Sequence, residues 1–435
     1  MDAKENTLLS GAVRPALLKY ALPIILSMVA TQFYSVADTM IIGLKLDADA
    51  LAAVSNASTA MMFFLFVSGG MELGGGLLTA SNKPTADKKQ MAELLYNLLF
   101  VDVLLALMML VLGWLGLRWM LEIMQTPNEI MEEAMTYGKI YLIGLPFLMV
   151  YDLTKECVMG CGDSKTPLYA IIATSILNVV LDFILVGPFG VAGAAFATAF
   201  SQIVGALYMF LHLKKTELEL SFEKAMLKPY YAKEIFRLSA PNSLQQASGT
   251  VITTVRQSLL GGLGVAAIAG FSCANKISSL LMMPVYGFTQ SVVFFIAQNT
   301  TANQMDRVHT GLKEGRKIVF VYSIIVAMLC MFLNNAMLHL FTNDSQAILY
   351  GCTLLSYEGL TYLLQAQKHL CEARLRGAQK MGLYLFSNLG QISITIIACL
   401  ILVPRIGFNG FWMATWIGSA IGLFLAITLN KVAKI

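Results

Sequence analysis

Long apolar stretches set the first constraint on this chain. About twelve of them, each at least as long as the roughly 20 residues that a bilayer crossing needs, run along its 435 residues, with cores near 16–42, 50–80, 92–117, 132–154, 166–186, 190–212, 234–260, 266–297, 316–341, 347–367, 381–403 and 407–430. Only 13% of residues are charged while 57% are hydrophobic, against the roughly 25% charge of a soluble domain. So little charge cannot cover a water-facing surface, and the apolar excess must face lipid. Hydrocarbon offers no partner for backbone N–H and C=O groups, so segments of this length cross as helices. The expected fold class is an all-α membrane protein with twelve transmembrane helices.

The basic residues set the orientation. With the N-terminus inside, 24 Lys and Arg collect on one side, from Lys4 and Arg14 through Lys83, Lys155, Lys224, Lys368 and Arg376 to Lys434. Lys45, Arg118 and Arg405 fall on the other, and Lys139, Arg256 and Lys276 lie within spans. That asymmetry implies an even number of spans with both termini cytoplasmic, in a cell (inner) membrane. No cleavable leader is visible, since residues 1–13 are polar and the first apolar run is interrupted by Lys19 and Pro23.

The longest polar connection, near 214–233, divides the chain into an N-terminal six-helix lobe (1–213) and a C-terminal one (234–435). The halves read as repeats. Pro23 matches Pro241 and Gly69 matches Gly287 at a shift of 218, and "FGVAGAAFATAF" matches "IGFNGFWMATWI" at 217. Six spans is an even number, so both copies insert the same way up, as in two-lobed transporters with a central cavity.

Ionisable groups at membrane depth are functional candidates by default. Asp38, in "FYSVADTMIIG", has no basic residue within reach on its own span, which suits a carboxyl that takes up a proton. Asn178 and Asp182, in "SILNVVLDFILV", are four residues apart and share a helix face. A carboxylate beside an amide oxygen suits a hard cation such as sodium, with Asp38, Asn178 and Asp182 as its ligands, or a hydrogen-bonded proton acceptor. In the second repeat Asn178 and Asp182 fall on Thr395 and Cys399, and Asp38 falls near Arg256 or Gln257. The carboxylates belong to the first copy alone, which places an ion site in the N-terminal lobe. Glu72, Arg256, Gln290 and Glu358 are candidates for lining the cavity, with Glu72 and Arg256 on different lobes and able to pair across it. Pro23, 15 residues before Asp38 in the same span, permits a kink that protonation could drive.

Other classes find no support. The basic residues form no stripe for nucleic acid. The four histidines are scattered, the seven cysteines lack zinc or disulfide spacing, and there is no Walker motif. The reading is of a protein that is not an enzyme and needs no cofactor. Its driving force would be an ion gradient, which supplies about 2.3 kcal/mol per charge per 100 mV.

At "LPIILSMVATQFYSVADTMIIG", "GCGDSKTP", "LNVVLDFILV" with "GVAGAAFAT", and "AQNTTANQMDR", the chain resembles the multidrug and toxic compound extrusion (MATE) family over nearly its whole length. The resemblance implies a V-shaped pair of pseudo-symmetric six-helix bundles working by alternating access. It implies export of small amphipathic or cationic organic compounds in exchange for H+ or Na+, by a monomer in the lipid bilayer. It also implies a cation site of Asp38, Tyr137, Asn178, Asp182 and Thr198, with Pro23 as the helix hinge. Thr250 and Gln365 stand where one branch has acids, so the chain looks more like the DinF-type branch. The loops "SNKPTADKKQ" and "EARLRGAQKMG" depart from the family pattern. Two other readings are a lipid-linked saccharide flippase of the same superfamily, for which Arg256 is the one obvious cavity charge, and a non-transporting membrane binding protein.

Overall fold

The computed structural model describes residues 8–217 and 227–433; Lys4, Lys224, Lys434 and part of the expected 214–233 connection lie outside them. The described residues form helices and no strands. In order these are α1 (Val13–Lys45), α2 (Ala48–Asn82), α3 (Lys88–Ile123), α4 (Asn128–Gly160), α5 (Lys165–Thr216), α6 (Pro229–Gly261), α7 (Val265–Thr301), α8 (Met305–Phe332), α9 (Asn334–His339), α10 (Ser345–Gly377), α11 (Met381–Ile406) and α12 (Asn409–Val432). Eight of them are long and apolar enough to cross a membrane, so this is a multi-pass membrane protein. The more polar α4 and α10 still match expected spans. Each is packed on three sides, α4 by α2, α3 and α5, and α10 by α7, α8 and α12. A helix shielded from lipid by its neighbours can carry charge.

Two differences from the expected spans have local causes. Spans 166–186 and 190–212 form one 52-residue element, α5, interrupted at Gly190 (φ 58°, ψ −139°). The expected span 316–341 begins earlier and stops at Phe332. There Asn334 uses its side chain locally, accepting from the N–H of Asn335 at 2.6 Å and donating to Ser356 at 2.7 Å, a competition that ends helices.

The internal repeat appears in the backbone. Helix N-caps Asp47, Asp87 and Pro127 have counterparts Gly264, Gln304 and Asp344, each 217 residues on. Gly407 (φ 62°, ψ −142°) repeats the conformation of Gly190. Gly162 and Gln379, also 217 apart, both turn left-handed after α4 and α10.

The compact units do not follow the expected division at 213 and 234. One comprises Leu26–Ser243; the other takes in the chain up to Ile25 and from Leu244 onward. Hence α1 and α6 each pass from one unit to the other, two residues after Pro23 and Pro241. Close packing explains the exchange. A Cβ on Gly70 of α2 would collide with Ser243 and Ser239 of α6, and one on Gly287 of α7 with Ile25 of α1. Gly70 and Gly287 are 217 apart, so the pairing of Gly69 with Gly287 is off by one residue. Small residues let helix backbones approach where lipid supplies no hydrophobic drive.

Each crossing helix is clasped at its start. Arg307 donates to the carbonyls of Leu8 (3.1 Å), Ser10 (3.2 Å) and Gly11 (2.7 Å), and Asn299 donates to Leu8 (3.1 Å). The "AQNTTANQMDR" stretch thus builds a turn, with left-handed Asn303 at its centre, that holds the approach to α1. The approach to α6 is held by Lys228, whose N–H donates to Asn97 (2.9 Å) and whose Nζ meets Glu93 (2.5 Å). In the atypical loop after α2, Asp87 and Gln90 form a capping box and Lys83 pairs with Glu217 at 2.6 Å.

The "GCGDSKTP" loop opens α5. Asp163 accepts from the N–H groups of Lys165 (3.0 Å) and Thr166 (3.1 Å) and from the Thr166 hydroxyl (2.7 Å). Partial burial raises its pKa, but these hydrogen bonds and nearby His212 outweigh that and hold the carboxyl below the usual aspartate value.

Two predictions follow from these elements. Ala at Gly190 or Gly407, where φ is positive but surrounding space is open, should cost about 1–3 kcal/mol and lower the melting temperature in detergent. Gly116→Ala, on the open helical surface of α3, should not. Asp163→Ala should destabilise at neutral pH. Because the folded pKa is depressed, the wild-type advantage is full above the unfolded value of about 3.9 and vanishes as pH falls through the folded value. Thermal unfolding of both proteins from pH 7 to pH 3 checks this.

Candidate functional site

Asp38 on α1 and Asp182 on α5 bring their carboxyl groups into hydrogen-bonding contact inside the Leu26–Ser243 unit. Asp182 is fully buried and Asp38 partly so. One oxygen of each, Oδ1, is buried without a hydrogen-bond partner. Two carboxylates this close repel unless a proton or a cation lies between them.

The break at Gly190 supplies the rest. It folds the second half of α5 back along the first, so Asn178 and Thr198 meet although 20 residues apart. The amide of Asn178 is best satisfied with its nitrogen donating to Asp182 Oδ2 (2.9 Å) and its oxygen accepting from the Thr198 N–H (3.2 Å). Asn178 and Thr198 are 1% and 5% exposed. Tyr137 on α4 is buried beside both acids. All five residues of the expected cation site therefore share one neighbourhood. Their donor set of two carboxylates, an amide and two hydroxyls fits either a proton or a small hard cation. Pro23 lies four turns away on α1, on the far side of the unit boundary.

Sequence reasoning missed several neighbours. Tyr34, one turn before Asp38, faces that carboxyl and hydrogen-bonds to Thr198. Tyr141 stacks on Tyr137 with ring centroids 6.2 Å apart and bonds Gln202. Spacing gave the available signal, since 34/38 and 137/141 are both (i, i+4) pairs.

Of the four candidate cavity residues, Arg256 and Glu358 are brought together within one unit. Glu72 takes a partner within its own unit: Lys155 of α4 lies 3.6 Å away and also meets Asp152 at 2.9 Å. Arg256, in the other unit, donates to Thr415 at 2.6 Å and is an electrostatic partner of Glu358, which also accepts from Ser278 at 3.4 Å. Glu72 and Arg256 thus each have partners at home. Gln290 accepts from Arg376 at 3.0 Å. Lys155 and Lys368, expected on the basic cytoplasmic side, are helix residues in ion pairs. Fully buried Lys368 meets Glu372 at 2.9 Å, and Glu372 also accepts from Ser387 at 3.0 Å. Lys155 and Glu372 are 217 apart, so the two repeats place opposite charges at one position.

Asn178→Leu would strand a buried carboxylate oxygen and should cost about 1–3 kcal/mol, whereas Asn178→Leu with Asp182→Leu should recover most of that loss. Thermal unfolding across the full double-mutant cycle checks this, and additive effects would refute the coupling.

The MatE family pattern matches residues 23–184 and 241–401, once in each repeat. The "Probable multidrug resistance protein YoeA" of Bacillus subtilis (strain 168) is 25% identical over 374 residues, covering 82% of this chain and 80% of its own. A protein named "FAD transporter" from Shewanella oneidensis is 24% identical, with coverage of 78% and 77%. Among solved structures, the outward-facing conformation of a multidrug resistance MATE family transporter of the MOP superfamily superimposes with a TM-score of 0.90. That alignment covers 100% of this chain and 98% of the other at 21% identity. The chain belongs to the MatE family.

Proposed function

We propose that the protein is a secondary active antiporter that exports small amphipathic or cationic organic compounds in exchange for protons or sodium by alternating access. The observation that carries this reading is the facing pair Asp38 and Asp182, which needs a positive species between its carboxyls. Tyr137, Asn178 and Thr198 complete the site, with Asn178 fixing the orientation of Asp182. Loading the ion neutralises the pair. Losing it restores repulsion that favours a different arrangement, or a cationic substrate in the ion's place.

The coupling to movement is assigned to α1. Pro23 has no N–H for the carbonyl of Lys19, which weakens the helix there. Asp38 lies further along the same element, so a bend at Pro23 re-aims its carboxyl. Both termini are placed in the cytoplasm of a cell whose inner membrane holds the protein as a monomer. The substrate class rests on the multidrug names among the relatives. The relative named for FAD is the reason to include that dinucleotide among the compounds tested.

The test is efflux of a cationic fluorescent dye from reconstituted vesicles, with proton and sodium gradients imposed separately. Asp38→Asn and Asp182→Asn should each reduce gradient-driven efflux to background while elution and thermal unfolding remain like wild type. Wild-type efflux by either variant would sink the proposal.

A further inference from the structure

The unit that contains α8, α10 and α12 holds a groove of about 750 Å³ between those helices. Its lining carries four permanent cations, Lys313, Arg316, Arg374 and Lys431, together with His309, and no acidic residue. The walls are apolar, with Leu312, Leu370, Leu423 and Ile427 among them. Arg316 and Arg374 are close enough to repel one another, and the Nε of Arg374 is buried without a hydrogen-bond acceptor. The nearby acids take other partners: Glu314 pairs with Lys317 at 2.6 Å, though it also feels Lys313, and Glu372 pairs with Lys368 at 2.9 Å. Two guanidinium groups facing one another in a lining without an acid are costly to hold together, and a buried guanidinium N–H is rarely left without an acceptor.

Packing of the fold does not demand these cations. At the positions 217 residues earlier, His309, Lys313, Arg316 and Arg374 become Ala92, Tyr96, Leu99 and Cys157. Lys431 falls on another cation, Lys214, so the first repeat is neutral at four of these five positions. The arginine pair, Lys313 and His309 are therefore particular to the second copy.

We propose that this groove is a binding site for an anionic phospholipid, with the phosphate held by Arg316 and Arg374 and the acyl chains laid along the leucine and isoleucine wall. A charged rim joined to an apolar wall at one end of membrane helices matches the two halves of such a lipid. A small free anion would satisfy the arginines and leave the wall without a role. The groove shares no residue with the Asp38 and Asp182 site and belongs to the other compact unit.

The test titrates the delipidated full-length protein with phosphatidylglycerol and with phosphatidylcholine, reading bound lipid by native mass spectrometry. The wild type should prefer phosphatidylglycerol by at least about tenfold. Near a membrane surface each basic residue contributes about 1 kcal/mol, or about fivefold, so Arg316→Gln with Arg374→Gln should weaken phosphatidylglycerol binding by about 25-fold and leave phosphatidylcholine unchanged. Should that variant fail to fold, Lys313→Gln and Lys431→Gln, both exposed, should each weaken it about fivefold. Equal binding of the two lipids by the wild type, or unchanged phosphatidylglycerol binding by folded variants, would overturn the proposal. So would full displacement of the lipid by millimolar inorganic phosphate, which would make the groove a site for small anions.

Discussion

Inside a bilayer, a carboxyl group must find something to hold. Water is absent, an isolated charge is expensive, and long-range screening is weak. The buried polar groups described here answer that demand in two ways. Most acids are matched by bases, as Glu72 by Lys155 and Glu372 by Lys368, and such pairs organise the helix interior at little net gain in stability. Asp38 and Asp182 are matched only by one another and by neutral donors. Two facing carboxyls need a proton or a cation between them, whereas each acid–base pair carries its own counter-charge.

The helix arrangement is built to deliver those groups accurately. Asp182 and Asn178 occupy the half of α5 before Gly190, and Thr198 the half after it, so a single backbone break sets the width of the site. The same break at Gly407 in the second repeat brings Thr395 and Cys399 to the corresponding place, without carboxylates. One scaffold therefore appears twice, and the facing carboxyls occur in one copy.

Much of this was legible in the order of residues. Twelve crossings, the duplication and the grouping of Asp38, Tyr137, Asn178, Asp182 and Thr198 could be read from hydropathy, from the 217-residue spacing and from the family resemblance. What could not be read depends on contacts distant in sequence. The exchange of α1 and α6 between units is decided by where Gly70 and Gly287 allow a backbone to approach, and a glycine-rich stretch does not name its partner. Tyr34 and Tyr141 look like ordinary membrane-helix aromatics until the fold turns them toward the acids. Glu72 and Arg256 had plausible partners in one another, and proximity within each unit gave them others. Helix limits also moved, because polar caps such as Asp344 and the Asn334 side chain act locally and leave little trace in hydropathy.

The exchanged first helix has a bearing on biogenesis. The stretch up to Ile25 packs on Gly287 of α7 and is tied down by Arg307 of α8, yet it is translated well before either. At about 5–20 residues per second, on the order of 10–50 seconds separate its synthesis from that of its partners. During that interval the leading half of α1 must wait in the membrane without its neighbour. Until α7 and α8 have been made, the start of α1 lacks the packing and the arginine clasp that hold it in the folded chain.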